Sequence, residues 1–451
     1  MERRRMTLIL LGLSIVLIAV LAQAMQVNYD FSVTATSGPL VGVTAVGTFA
    51  FDSSIIPLGG GFLPQLNLLS DLNFTWHGIT YDETTANTGF LNFDAAGNLI
   101  GVAFGTIPNA GGVAVHGGEE GWLVVSSGGS KYFQYAFSGQ DTFIGGGTFS
   151  VKRVGPVPVD FDGDRKTDIA VYRASTGVWW VTPSSGAPAY GYGWGGPGFK
   201  PVPGDYDGDG KTDIAIYNNT GGAWWVIPSS GTGPQGQMGA YGIGWGGSVF
   251  KSVPGDYDGD GKTDIAIYDT TGGAWWVIPS SGIPAYGVGW GGSAFKPVPG
   301  DYDGDGKTDI AIYDTVSGGW WIIPSSGTGP QGQVGAYGVG WGGSAFKPVP
   351  GDYDGDGKID IAIYNTSTGA WWIIPSSGLG PQGQVGAYGV GWGGPGFTPV
   401  PGDYDGDKKT DVAIYQSSNG GWWIIYSSDG STYGMGWGGD ASDIPLTTNP
   451  D

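Results

Sequence analysis

The chain has no cysteine and only two histidines, and just three glutamates lie beyond its first two residues. No disulfide can staple it, and thiol chemistry and Cys/His metal sites are excluded. Positive charge is also scarce: 19 Lys and Arg stand against 40 Asp and Glu, a net charge of −21. No basic patch exists to neutralise phosphates, so nucleic acid is excluded as a partner. Long apolar runs are absent but for one. The chain opens MERRR, continues TLILLGLSIVLIAVL and reaches Ala22, Gln23 and Ala24. A basic start, a short apolar core and a small-residue site read as a secretory signal peptide over residues 1–24. The rival reading is an uncleaved anchor, but the run is short beside the ~20 residues that span a bilayer. After cleavage no second segment supports stable membrane insertion, so a secreted, extracellular or cell-surface protein is expected.

What the chain does have is aspartate, glycine and tryptophan. Residues 204–217 read GDYDGDGKTDIAIY, with aspartates at loop positions 1, 3, 5 and 9 and glycine at position 6. The loop occurs six times. Position 1 is Asp160, Asp205, Asp256, Asp301, Asp352 or Asp403, and position 3 is Asp162, Asp207, Asp258, Asp303, Asp354 or Asp405. Position 5 is Asp164, Asp209, Asp260, Asp305, Asp356 or Asp407, and position 9 is Asp168, Asp213, Asp264, Asp309, Asp360 or Asp411. Carboxylates spaced one residue apart in a turning loop converge on a point, and calcium takes about six to eight oxygens. The position-7 carbonyl supplies one more, from Lys166, Lys211, Lys262, Lys307, Lys358 or Lys409. Four carboxylates this close repel one another without a cation. Up to six structural Ca²⁺ ions are therefore expected. Arg165 and Lys408 replace glycine at position 6 of the first and last loops. A left-handed backbone costs such residues about 1 kcal/mol or more, so weaker metal binding is expected there.

The sequence after each loop decides its family. An EF-hand loop runs on to an acid at position 12 and opens a helix. Here Asp213 leads into Ile214, Ala215, Ile216 and Tyr217, a period-2 run of β-formers. The loop therefore joins two strands. Cores such as PVPGDYDGDGKTDIAIY resemble the FG-GAP/VCBS repeats of integrin-type β-propellers and of many bacterial secreted proteins, over roughly residues 155–440. First aspartates follow one another at 45, 51, 45, 51 and 51 residues, a length that suits one four-stranded blade per repeat. In the second unit, residues 200–204 are read as inner strand, 213–217 as second, 223–228 as third and 241–245 as outer. Residues 155–451 are thus expected to form a six-bladed all-β propeller. The tail at 440–450 either adds a closing strand or leaves room for a seventh blade completed by the N-terminal part.

Residues 25–154 have a different texture. Alternating runs at 29–34, 47–51, 72–76, 89–93, 122–125 and 148–152, parted by Gly, Asn, Asp and Pro, suggest a small β-sandwich or jelly roll. The segments YDFSVTATSG, FTWHGITYDE and LNFDAAGNLIGVAFGT look like an N-terminal domain of some bacterial secreted proteins. His77 and His116 lie here with Glu83, Glu119 and Glu120, and read as turn residues because HGGEEG is a Gly-rich loop.

Each repeat carries a Trp-Trp pair, as at Trp224 and Trp225, read as core between blades because both blade faces pack on neighbours. Each also carries a tryptophan in G-x-G-W-G-G: Trp194, Trp245, Trp290, Trp341, Trp392 and Trp437. Flanking glycines leave that indole open, so these six are candidate glycan-binding residues. Units two, four and five add six residues around GPQGQ, read as loop variation or as a contact surface.

An enzyme fits poorly. Residues 155–451 contain no histidine, cysteine or glutamate, and no set of polar groups breaks the repeat symmetry as a catalytic site does. The expected function is non-catalytic binding or adhesion, calcium-stabilised, to an extracellular protein or polysaccharide. A propeller lectin with Trp-lined sites is the first alternative, and a glycan-active hydrolase or lyase the second.

Overall fold

The computed structural model describes residues 26–447, apart from 53–54, 56, 58–59, 65–68, 77, 83–87, 94–98, 107–120, 128–129, 137–144, 154, 156, 234–237, 330–333 and 381–384. The signal-peptide reading, both histidines, the three glutamates beside them and the GPQGQ tips lie outside the described residues.

Ten strands make the N-terminal part: β1 (Gln26–Ser37), β2 (Thr44–Asp52), β3 (Gly61–Leu63), β4 (Leu69–Trp76), β5 (Ile79–Tyr81), β6 (Thr88–Phe93), β7 (Leu99–Thr106), β8 (Gly121–Ser127), β9 (Ser130–Ala136) and β10 (Gly145–Arg153). They form one continuous sheet in the order β3-β6-β7-β8-β9-β10-β1-β2-β4-β5. The sandwich-like core arises because this single sheet curls on itself. Alternate residues of β1 point inward, and Phe31 meets Phe104 of β7 at 5.2 Å between ring centroids.

Six four-stranded sheets follow, one per repeat. In blade two the inner strand is Phe199–Pro201, the second Ile214–Asn218, the third Ala223–Ile227 and the outer Tyr241–Gly244. The aspartate loop joins inner to second strand, as expected. Blade one takes its inner strand from the tail: Asp443–Pro445 pairs with Ile169–Arg173 and closes the ring, so no seventh blade forms among the described residues. Arg173 donates to both Asp443 oxygens, at 2.8 and 3.1 Å, and the Asp443 side chain is fully buried.

Packing falls off with distance from the axis. Second strands are buried on both faces because neighbouring blades press on each. Third strands alternate, since blades diverge outward and only one face is covered. This corrects the reading of the Trp-Trp pairs as wholly core. The first member is fully buried in all six blades. The second is 36% exposed at Trp180 and 42–45% at Trp225, Trp276, Trp321 and Trp372.

The first tryptophan also fixes the G-W-G-G turn of its own unit. The Trp224 indole N–H donates to the Trp245 carbonyl at 3.1 Å, and Gly247 N–H donates to the Tyr217 hydroxyl at 3.0 Å. Gly246 between them has φ +116, and a Cβ there would overlap the Tyr217 hydroxyl. Only glycine fits.

Candidate metal centres and inter-blade grooves

In blade two, Asp205 and Asp213 are buried, and Asp205, Asp207 and Asp213 each bring an oxygen within 4.8 Å of the others. Equivalent trios form at Asp160, Asp162 and Asp168, and at Asp301, Asp303 and Asp309. In units three and five position 5 completes the set, with Asp256, Asp258 and Asp260, and with Asp352, Asp354 and Asp356. Positions 1 and 3 are in every one of these trios, joined by position 9 in three units and by position 5 in two. The loop's own amides hold the carboxylates in place. Asp205 accepts from Gly208 N–H at 2.6 Å and from Gly210 N–H at 2.9 Å, and Asp209 accepts from Lys211 N–H. The four position-6 glycines have φ between +79 and +89, and Arg165 and Lys408 adopt the same left-handed backbone at +70 and +71. The strain expected of them is present. The Lys408 ammonium also reaches Asp30 of β1 at 2.8 Å, and Arg165 lines, with Val27 and Asn28, a cavity of about 250 Å³ between the N-terminal sheet and loops one and two. Both departures from glycine lie where the N-terminal sheet meets the loops.

The loops are joined head to tail around the axis. Thr212 N–H donates to the Asp160 carbonyl, Thr263 to Asp205, Thr308 to Asp256, Ile359 to Asp301, Thr410 to Asp352 and Thr167 to Asp403, at 2.6–2.8 Å. The side chain of each position-7 lysine crosses the position-4 glycine of the preceding loop, as Lys211 does at Gly163.

A serine pair that sequence reasoning missed completes each site. Ser229 N–H donates to Asp213 at 2.6 Å, its hydroxyl to Asp209 at 2.6 Å, and the Ser230 hydroxyl to Asp207 at 2.6 Å. The pair recurs at Ser184 and Ser185, Ser280 and Ser281, Ser376 and Ser377, and Ser427 and Ser428, and in blade four Ser325 donates its hydroxyl to Asp305 while Ser326 donates its N–H to Asp303 at 3.0 Å. Hydrogen bonds to a carboxylate's outer oxygen hold the other oxygen on a metal, and losing such partners lowers affinity by about 10–100-fold. Ser229→Ala with Ser230→Ala is expected to weaken metal binding at loop two by about tenfold in a calcium titration. Unaltered affinity would show the serines only shape the hairpin.

Burial drives the electrostatics. It pushes the Asp213 carboxyl up to about 9, with the Asp207 charge adding to it, and Asp256 and Asp360 up to about 8. Asp160, Asp264, Asp309, Asp352 and Asp411 rise to about 7 for the same main reason. Unfolded aspartate titrates near about 4. The folded, metal-free chain thus binds protons at pH 5–8 that the unfolded chain has lost, and its stability falls as pH rises through that window. Metal-stripped protein is expected to melt higher at pH 5 than at pH 8.5, with the trend flattened in excess calcium. A metal-free melting temperature that rises with pH would contradict this.

The G-W-G-G tryptophans are half-buried wedges between blades. Trp290 of blade three and Phe295, Ile312 and Trp321 of blade four line a groove of about 430 Å³ with Gly272, Gly289 and Gly291. It opens at the end where second and third strands join, opposite the metal loops. The asparagines and aspartates of that turn are occupied locally: Asp269 accepts from Thr271 and Gly272 N–H, and Asn218 from Thr220 and Gly221 N–H. The GPQGQ hairpins stand at the other end, beside the metal loops, closed by the Thr232–Met238, Thr328–Val334 and Leu379–Val385 bridges.

The sequence pattern of the FG-GAP-like repeat family matches residues 160–216, 205–267, 256–312, 301–363 and 352–414, together more than half of the chain. No curated protein matches it. Among solved structures, a lectin from Agrocybe aegerita that recognises non-reducing terminal N-acetylglucosamine is 15% identical with TM-score 0.38, covering 65% of this chain and 92% of its own. The dihydro-heme d1 dehydrogenase NirN is 10% identical with TM-score 0.32, over 62% of this chain and 57% of its own. A Lactobacillus plantarum protein is 10% identical with TM-score 0.30, over 91% and 95%. At these values none bears on what this chain does.

Proposed function

The chain belongs to the FG-GAP-like repeat family, and from that premise we propose that it is an exported, non-catalytic binding protein, stabilised by calcium, whose ligand is a glycan or polysaccharide. The observation that carries the glycan reading is the groove between blades, where a half-exposed indole faces a second aromatic wall. The C–H face of a pyranose is apolar and stacks on such rings, while its hydroxyls stay hydrated at the open rim. Calcium suits the loops because their donors are all oxygen and enough of them, carboxylates and carbonyls together, converge for its large shell. The carbonyls of the position-7 lysines would complete that shell. Export rests on the basic, apolar and small-residue sequence of residues 1–24.

A glycan and polysaccharide array with calcium-saturated protein tests the reading. Selective binding that free sugar competes away and that weakens in Trp321→Ala supports it; a blank array from folded protein overturns it. A blank array would favour a protein partner at the opposite end, where Met238, Val334 and Val385 are 62%, 87% and 85% exposed.

A further inference from the structure

Resting on the glycan reading, we propose that four of the six inter-blade grooves take an uncharged sugar and that two are closed, the fifth by a tryptophan that Gly421 lets in. Five grooves repeat one plan: a G-W-G-G tryptophan from one blade, and a phenylalanine, an isoleucine and the second Trp-Trp member from the next; the sixth has Asp443 and Val171 in place of the middle two. In the first four, Trp225, Trp276, Trp321 and Trp372 lie flat over the outer-strand glycine of their own blade, and a Cβ on Gly242, Gly287, Gly338 or Gly389 would press into the ring. That posture turns the indole aside, and between blades three and four it leaves the groove open down to Phe295.

The fifth groove differs. Trp423 leaves that posture and meets Phe397 edge-on, with ring centroids 5.6 Å apart, joining the core cluster between blades five and six. Its ring occupies the space where a Cβ on Gly421 would sit. Units one, two, three and five carry Val178, Ala223, Ala274 and Ala370 at that position. Gly319 also lacks a Cβ while Trp321 stays aside, so glycine permits the swing without enforcing it. The sixth groove loses its aromatic floor, because Asp443 stands where the others have phenylalanine and its carboxylate is held by Arg173. Trp180 lies over Gly191 as its counterparts lie over theirs, so this groove is closed not by a swung ring but by Trp437, which meets Trp180 edge-on across it at 6.5 Å.

Hydrogen bonding of the wedge tryptophans differs from groove to groove. The Trp392 and Trp437 indole N–H groups donate to the Trp423 and Trp180 carbonyls at 3.3 Å. In the open grooves the Trp194, Trp245 and Trp341 N–H groups have no partner, and Trp290 reaches the Trp321 carbonyl only at 3.5 Å. A buried N–H without an acceptor is unfavourable, and a small shift of the wedge toward a bound hydroxyl would satisfy it. The lining of the groove between blades three and four carries no charged side chain, and the protein's charge of −21 repels polyanions. Both points select a neutral sugar over a uronate or sulfated one.

The test is calorimetric titration of the calcium-loaded mature chain with cellotriose, maltotriose and chitotriose. Whichever trisaccharide binds is expected to saturate at four per chain, at three in Trp321→Ala, and still at four in Trp423→Ala. Gly421→Ala should push Trp423 back over Gly434 and raise the count to five. Six equivalent sites in the parent, or a site lost in Trp423→Ala, would overturn the proposal while leaving the glycan reading intact. Should Gly421→Ala fail to fold, the Trp423→Ala count decides alone. Binding by none of the three, with the array also blank, removes the glycan reading and this proposal with it.

Discussion

Stripping calcium is expected to lower the thermal midpoint of the propeller by about 12 °C. Extracellular calcium modules bind with Kd of about 0.1–1 mM. At millimolar calcium and the tighter value, one site stabilises by roughly 1.4 kcal/mol, and six independent sites by about 8 kcal/mol. A whole domain is commonly stable by only about 5–15 kcal/mol. For a domain of this size each kilocalorie moves the midpoint by about 1.5 °C. Geometry makes the loss spread. Each position-8 N–H is bonded to the position-1 carbonyl of the preceding loop, so a loop that splays as its carboxylates repel pulls on its neighbour. Melts in calcium and in EGTA at pH 7.5 check this. An equal midpoint in both would mean that the loops are acidic turns without a structural ion.

Breaking the ring's closure is expected to have the next largest effect. Blade one is completed by only three residues, Asp443–Pro445, with no disulfide behind them. The strand is held by the two Arg173 bonds to Asp443, by Ala174 N–H to the Ser442 carbonyl and by Leu446 N–H to the Ala170 carbonyl. Asp443→Ala leaves the guanidinium, itself about one-quarter exposed, with only the more distant Asp440 carboxylate at 3.9 Å. A fully buried broken pair costs about 3–5 kcal/mol, and Arg173's exposure lowers the expected loss to about 2–3 kcal/mol. Removing residues 440–451 exposes the edge of the second strand at Val171 and Tyr172, and a loss of cooperative unfolding together with aggregation is expected. Urea denaturation reads both variants. A truncated chain that unfolds at the parent's midpoint would show that the ring is held elsewhere.

Much of this was legible in the sequence, and the rest was hidden for identifiable reasons. Aspartates at positions 1, 3, 5 and 9 with a glycine at 6 follow from local loop geometry, so the acidic sites and the strands on either side could be read directly. The six runs read as strands in the N-terminal part all fall within observed strands. Leu99–Thr106 was not read as one, because Gly101 and Gly105 interrupt its alternation, and the single curled sheet depends on pairings that no local pattern encodes. The serine pairs escaped because Pro-Ser-Ser-Gly reads as a turn, and their targets lie 20–23 residues earlier in the chain. The Trp-Trp pairs were half legible. Alternation places the two rings on opposite faces, but only the divergence of blades from the axis leaves Trp225 exposed and Trp224 buried. Arg173 and Asp443 are 270 residues apart, and neither carries a local signal of the other.

The most direct measurement is the number of calcium ions that metal-stripped protein takes up in equilibrium dialysis. The account predicts six per chain at saturation, four tight and two weaker, with the weaker pair tightening in Arg165→Gly and Lys408→Gly. Uptake of no calcium by folded protein at millimolar concentration would contradict it.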